Sequence, residues 1–140
     1  MANSSMLLGA STEHLITSML LKEEREVYAP LVDDHGVDLL VKTKDQTVKR
    51  TYQELQIKSL TDEGLFAAIN CPNPQPNYWF VFYVRQHNTI WLINSRDFVR
   101  IASQNKKGKN IGKYSLQLAT RNGIRQAHSN YIITDFSKLP

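Results

Sequence analysis

The sequence predicts a single α/β domain, with a mixed central sheet packed against an N-terminal helix. Three observations predict it. Residues 36–42 (GVDLLVK) and 52–58 (YQELQIK) both alternate with period two, as half-buried strands do. Leu15, Ile16, Met19 and Leu20 recur at helical spacing and make an apolar stripe. Residues 78–84 (YWFVFYV) are apolar on both faces, as expected of a strand in the middle of a covered sheet.

Taken in order, residues 1–8 carry no strong pattern and read as a loose arm before the domain. Ser11 or Thr12 can cap a helix running to about Arg25. Glu13 then falls in the first turn, where the helix dipole favours a carboxylate, and His14 reads as a surface residue. Residues 26–31 form a short strand, with Pro30 suited to an edge or a strand end. Asp33, Asp34 and His35 could be a cation cluster but are also ordinary turn chemistry leading into Gly36.

In the hairpin, Val37, Leu39, Val41, Leu55 and Ile57 share one face, directed at the helix. The polar residues 43–48 close an antiparallel turn. A turn centred on Gln46 or Thr47 sets Asp38 opposite Glu54 or Gln56, with Lys58 on the same face. A carboxylate, an amide or second carboxylate, and an ammonium then converge. Alternation alone equally allows a solvated ladder of ion pairs, worth under about 1 kcal/mol.

Residues 65–69 are too few to distinguish strand from helical turn, and residues 71–77 are too rich in proline for either. Residues 90–93 return as the hairpin partner of 78–84, and the aromatics read as core. Ser95 caps a helix through Ala102 with Asp97 in its first turn, residues 104–113 form a basic loop, and 114–118 alternate as a late strand. Residues 131–133 dock as a final short element.

Length and composition set outer bounds. The 140 residues suit one domain, and 41% hydrophobic residues describe ordinary soluble composition. One cysteine, Cys71, excludes an internal disulfide framework or a cysteine-built zinc site and fits a reducing, cytoplasmic compartment. No stretch reads as a secretory signal or approaches the ~20 apolar residues of a membrane span. The net charge is +4, with a pI near 9.2. The basic residues concentrate between Arg85 and Arg125, which permits a polyanionic partner. No phosphate-binding glycine loop or nucleophile elbow is present.

An Asp that opens one strand, followed by an acid-x-Lys on the next, is the core of the PD-(D/E)xK nucleases. GVDLLV followed by QIK resembles that superfamily, and most of all its small bacterial members related to Holliday-junction resolvases. The resemblance covers roughly residues 9–60. It implies a restriction-endonuclease-like mixed central sheet flanked by helices, in the order α-β-β-β and then further strands and a helix, over residues 1–140. It also implies a Mg²⁺- or Mn²⁺-dependent DNA endonuclease, structure-specific and acting in defence or repair. Val37 stands where the name-giving Pro would be, and Gln56 replaces the second acid, a variant the superfamily contains.

On this resemblance Asp38 supplies the bridging carboxylate, Gln56 an amide oxygen and Ile57 a main-chain carbonyl to the metal. Glu13 adds a second acid from the helix. Lys58 activates water or neutralises the attacked phosphate, and Glu54 is the replacement acid should Gln56 bind metal poorly. Such a site needs oxygen ligands for the ion and a cation beside the phosphate. Lys106, Lys107, Lys109 and Lys113, with Arg96 and Arg100 on the preceding helix, could neutralise DNA phosphates or be a solvated loop. One site serves one phosphodiester, so cutting a duplex implies a homodimer. The alternative is a catalytically silent nuclease-fold module that binds nucleic acid or protein.

Overall fold

The computed structural model describes residues 3–32, 36–44, 50–60 and 66–140. Helix α1 (Ser4–Lys22) lies against a sheet that begins with β1 (Val27–Tyr28), β2 (Leu39–Lys42) and β3 (Tyr52–Leu60). Then come β4 (Phe66–Ile69), β5 (Tyr78–Val84), β6 (Thr89–Asn94), helix α2 (Ser95–Ile101) and β7 (Ser103–Gln104). The chain ends with β8 (Tyr114–Gln117), β9 (Ala119–Thr120), β10 (Gly123–Ile124) and β11 (Ile132–Ile133). The central sheet has six strands in the order β1-β2-β3-β5-β6-β11. Only β3 and β5 in it run parallel, the other pairs being antiparallel. A second sheet has the order β4-β8-β7, and β9 and β10 form a hairpin. No described helix is long and apolar enough to cross a membrane.

Alternation in the strands explains the layers. Leu39, Val41, Leu55, Ile57, Val81 and Leu92 face α1 and pack with its Ile16 and Leu20. Phe80, Phe82, Trp91 and Ile93 face the other way and pack with Phe98 of α2 and with Leu116 and Leu118. Strand β5 is buried on both sides, which is why it carries apolar residues at successive positions. Val37 departs from the expected apolar face: it is half-buried and lines a cleft with Glu54 and Tyr78. It precedes the β2 ladder, so the strand alternation does not bind it.

Three boundaries differ from expectation. There is no loose arm over the described residues 3–8, because Asn3 caps α1 by accepting from the Met6 N–H at 2.9 Å. Ser11 and Thr12 instead donate back to the Leu8 carbonyl inside the helix. Glu13 is therefore mid-helix, beyond reach of the N-terminal dipole. The helix stops at Lys22, and the buried Arg25 donates to the carbonyls of Lys42, Leu139 and Pro140, tying the chain's last residues to β2. At α2 the cap is Asn94, which accepts from the Arg96 N–H. Ser95 is buried, and its hydroxyl donates to the Gln75 carbonyl and accepts from the Gln75 N–H. Residues 66–69 are a strand, and 131–133 dock on β6 through β11.

Candidate active site

Strands β2 and β3 part company at Asp38. Their ladder runs from Lys42 opposite Tyr52 to Leu39 opposite Leu55. The Asp38 N–H makes one further main-chain bond, 2.8 Å to the Leu55 carbonyl. Strand β3 continues to Leu60, held on its other edge by β5. Where the main-chain ladder ends, the Asp38 carboxylate takes over: Oδ2 accepts the Ile57 N–H at 2.6 Å. The N–H and C=O of one strand residue point to the same edge, so the Ile57 carbonyl lies on the edge that Asp38 occupies. Gly36 turns the chain into this position at φ +78°, a conformation that favours glycine.

Gln56 follows on the face carrying Glu54 and Lys58. It is half-buried, and its Oε1 accepts from the Tyr78 hydroxyl at 2.7 Å. Tyr78 comes from β5, where the parallel register sets it beside Glu54. Burial pushes its phenol up to about 12, and the fields of Cys71, Asp38 and Glu54 add to the shift. Asp38, Glu54, Gln56 and Tyr78 therefore share one neighbourhood. Glu54 and Tyr78 also line a cleft of about 490 Å³ with Val37, Asn70, Cys71 and Gln75. Cys71 is buried and its thiol is pushed up by that burial, which suits a packed residue and not a nucleophile.

Lys58 is exposed on the Gln56 side of β3. Two salt bridges join described residues, Lys42–Glu26 at 3.0 Å and Arg100–Asp97 at 2.9 Å, and neither involves Lys58. Glu13 is exposed on α1, in the layer behind the opposite face of β3. In the same turn, the Thr12 hydroxyl accepts from Ser59, the residue after Lys58. Asp33, Asp34, His35 and the hairpin turn about Gln46 and Thr47 lie outside the described residues.

Of the cations away from the hairpin, Arg96, Lys106, Lys107 and Lys109 are exposed and Lys113 is half-buried. Arg100 is held by Asp97, three residues before it, which neutralises it locally. Residues 105–113 close into a loop through Asn105 N–H to Lys113 O and Gly112 N–H to Asn105 O, both 2.8 Å. That loop opens onto β8 at Tyr114, which pairs with Ile69 at the end of β4. The next residues, 70–73, wall the cleft. Topology thus sets the basic loop at the cleft's end of the small sheet. Arg96, exposed, follows the buried Ser95, whose hydroxyl is bonded to Gln75 on the cleft wall.

Sequence reasoning missed two members of this constellation. Tyr78 reads as a core aromatic, since it alternates in phase with Phe80 and Phe82, and only the β3–β5 register reveals its second role. Gly36 reads as turn punctuation, yet a Cβ there would stand 3.0 Å from Gln56 Nε2.

No protein-family profile matches the chain, and no curated protein matches it. Among solved structures, it superposes on the bacterial homing endonuclease I-Ssp6803I with a TM-score of 0.53, at 18% identity. The match covers 80% of this chain and 89% of that one. The fold is nuclease-like. At that identity the likeness speaks for a nuclease-like arrangement of sheet and helices, and the chemistry rests on the side chains.

Among the described residues no group of three or more His, Cys, Asp or Glu is placed to hold a metal ion. The donors at the nuclease-like sheet's splayed edge are one aspartate, one amide oxygen and one main-chain carbonyl, all hard. That set fits Mg²⁺ or Mn²⁺, which keep several waters and use one or two carboxylates plus substrate phosphate. It does not suit zinc, which takes nitrogen and sulfur donors.

Proposed function

We propose that this chain is a divalent-metal-dependent DNA endonuclease of the PD-(D/E)xK type, with Gln56 in the position of the second acid. The observation that carries the reading is the 2.6 Å bond from Ile57 N–H to Asp38 Oδ2, made where β2 and β3 diverge. It sets a carboxylate against the Gln56-Ile57-Lys58 run, leaving side chains and one carbonyl where a ladder would otherwise continue. The nuclease-like fold supports the same reading.

Asp38, the Gln56 amide oxygen and the Ile57 carbonyl would hold the ion; Glu13, on the helix behind the other face of β3, is left out of that set. When bound, such an ion polarises a phosphoryl oxygen and lowers the pKa of an attacking water. The remaining work falls to the chain. Lys58, exposed and on the Gln56 side, sets a fixed positive charge beside the attacked phosphate, where negative charge grows in the transition state. Glu54 faces the cleft and is the reserve acid. Lys106, Lys107, Lys109 and Arg96 grip backbone phosphates along the rim, an interaction blind to sequence. One site cuts one strand, so we infer that two copies act on a duplex.

The charge-poor donor set favours a second reading, a silent nuclease-fold module that binds DNA without cutting it. Incubation with branched, duplex and single-stranded DNA in Mg²⁺ or Mn²⁺ separates the two. The endonuclease cuts at least one substrate, stops on chelation, and loses about 100-fold or more in Lys58→Ala. DNA binding without cleavage in either metal establishes the silent module.

A further inference from the structure

Gln56 is the one member of the proposed ligand set whose two ends differ. Its oxygen can ligate a hard cation, whereas its NH₂ is a donor that a cation repels. An aspartate or glutamate in its place would need no such choice. Something must therefore hold the amide the right way round, and two neighbours are placed to do so. The Tyr78 hydroxyl donates to Oε1 at 2.7 Å. On the side of Gly36, a Cβ would come within 3.0 Å of Nε2, 3.1 Å of Cδ and 3.3 Å of Oε1, so a larger residue would press on the amide and shift it by a few tenths of an ångström.

The hydroxyl is a dependable donor. It lies 2.7 Å from Oε1, an atom that can only accept, so the phenol is the donor of the pair. A half-buried phenol proton beside anions requires an acceptor, and the amide oxygen supplies one. That oxygen has two lone pairs, so accepting from Tyr78 leaves the other for a cation.

We propose that Tyr78 is a positioning residue: its hydroxyl, with the gap at Gly36, holds the Gln56 amide so that its oxygen, not its NH₂, is offered to a divalent cation shared with Asp38. The proposal rests on the endonuclease reading and deepens it. Tyr78 touches neither phosphate nor ion; it acts through Gln56.

Two measurements test it. Without metal, ¹⁵N relaxation of the Gln56 side-chain NH₂ reports the clamp directly: ordered in the native protein and freed in Tyr78→Phe. A native Gln56 as mobile as an exposed glutamine such as Gln126 overturns the inference, whatever the protein's activity. With metal, Mn²⁺ binding is titrated by electron paramagnetic resonance in a double-mutant cycle of Tyr78→Phe and Gln56→Glu. A carboxylate presents oxygen either way round. Tyr78→Phe should therefore weaken Mn²⁺ binding about 10-fold beside Gln56, the scale of one hydrogen bond, and under about 3-fold beside Glu. Equal losses in both backgrounds make Tyr78 a packing residue and overturn the proposal. An ordered Gln56 in a native protein that binds no Mn²⁺ overturns both the endonuclease reading and the positioning role. The relaxation result tells that failure from loss of the clamp alone.

Discussion

Asp38 carries two loads, and substitutions can separate them. Its Oδ2 accepts the Ile57 N–H at 2.6 Å, a charge-assisted bond in a partly buried setting. Asp38→Ala removes the acceptor and strands that N–H at the end of the ladder. Hydrogen bonds to charged groups contribute about 1.5–3 kcal/mol. Partial exposure argues for the lower part of that range, so the expected loss is about 2 kcal/mol. Relief of repulsion from Glu54 acts the other way, but across a hydrated face it is worth under about 1 kcal/mol, so the net effect stays destabilising. In a domain of this size the melt should fall by roughly 4–8 °C. Asp38→Asn keeps an acceptor oxygen and loses the charge, so it should lose about 1 kcal/mol or less. Both variants should lose cleavage by at least about 100-fold, because neither retains the anionic ligand. Thermal melts and single-turnover cleavage, run on the same preparations, check both halves. An alanine variant as stable as the native protein refutes the structural half. An asparagine variant that cuts at the native rate refutes the metal half.

Gln56→Glu adds a full negative charge beside Asp38 and Glu54, so it should melt lower than the native protein without metal and gain more from added Mg²⁺ or Mn²⁺. If metal shifts neither melt, the face holds no ion. Replacing Lys106, Lys107 and Lys109 by Ala should weaken DNA binding at every sequence and flatten the salt slope by about 0.9 for each phosphate no longer neutralised. An unchanged slope returns those lysines to the solvated loop, and Arg100→Ala, already paired with Asp97, should matter less than Arg96→Ala. Tyr78 gives a pH signature. Its folded pKa is raised to about 12, above the ordinary 10 of the unfolded chain, so the phenol's contribution is intact below pH 10 and fades as pH climbs towards 12. Melts across that window should fall more steeply for the native protein than for Tyr78→Phe; parallel curves would show that the phenol is not shifted.

Local periodicity carried most of what the sequence determined. Alternation in residues 39–42 and 52–60 depends only on which neighbours are apolar, so both strands and their helix-facing side were legible before any tertiary contact was known. The two-sided apolar run of β5, its hairpin to β6 and the cationic loop before β8 were legible for the same reason. Decisions between locally equivalent options were not. Asn3, Ser11 and Thr12 are all competent helix caps, and the structure uses Asn3, which made residues 4–8 of the expected loose arm the start of the helix and carried Glu13 away from the helix end. Val37 continues the alternation on paper, but it lies past the last rung of the ladder, where pairing no longer dictates its side. Asp97 stood three residues from Arg100 all along, yet whether that pair closes depends on the geometry of a short helix. Tyr78 was furthest from reach. Its partner, Gln56, lies 22 residues away across a parallel pairing whose register no local pattern encodes. Side-chain period tells which face a residue takes; only the packed sheet decides whom it meets there.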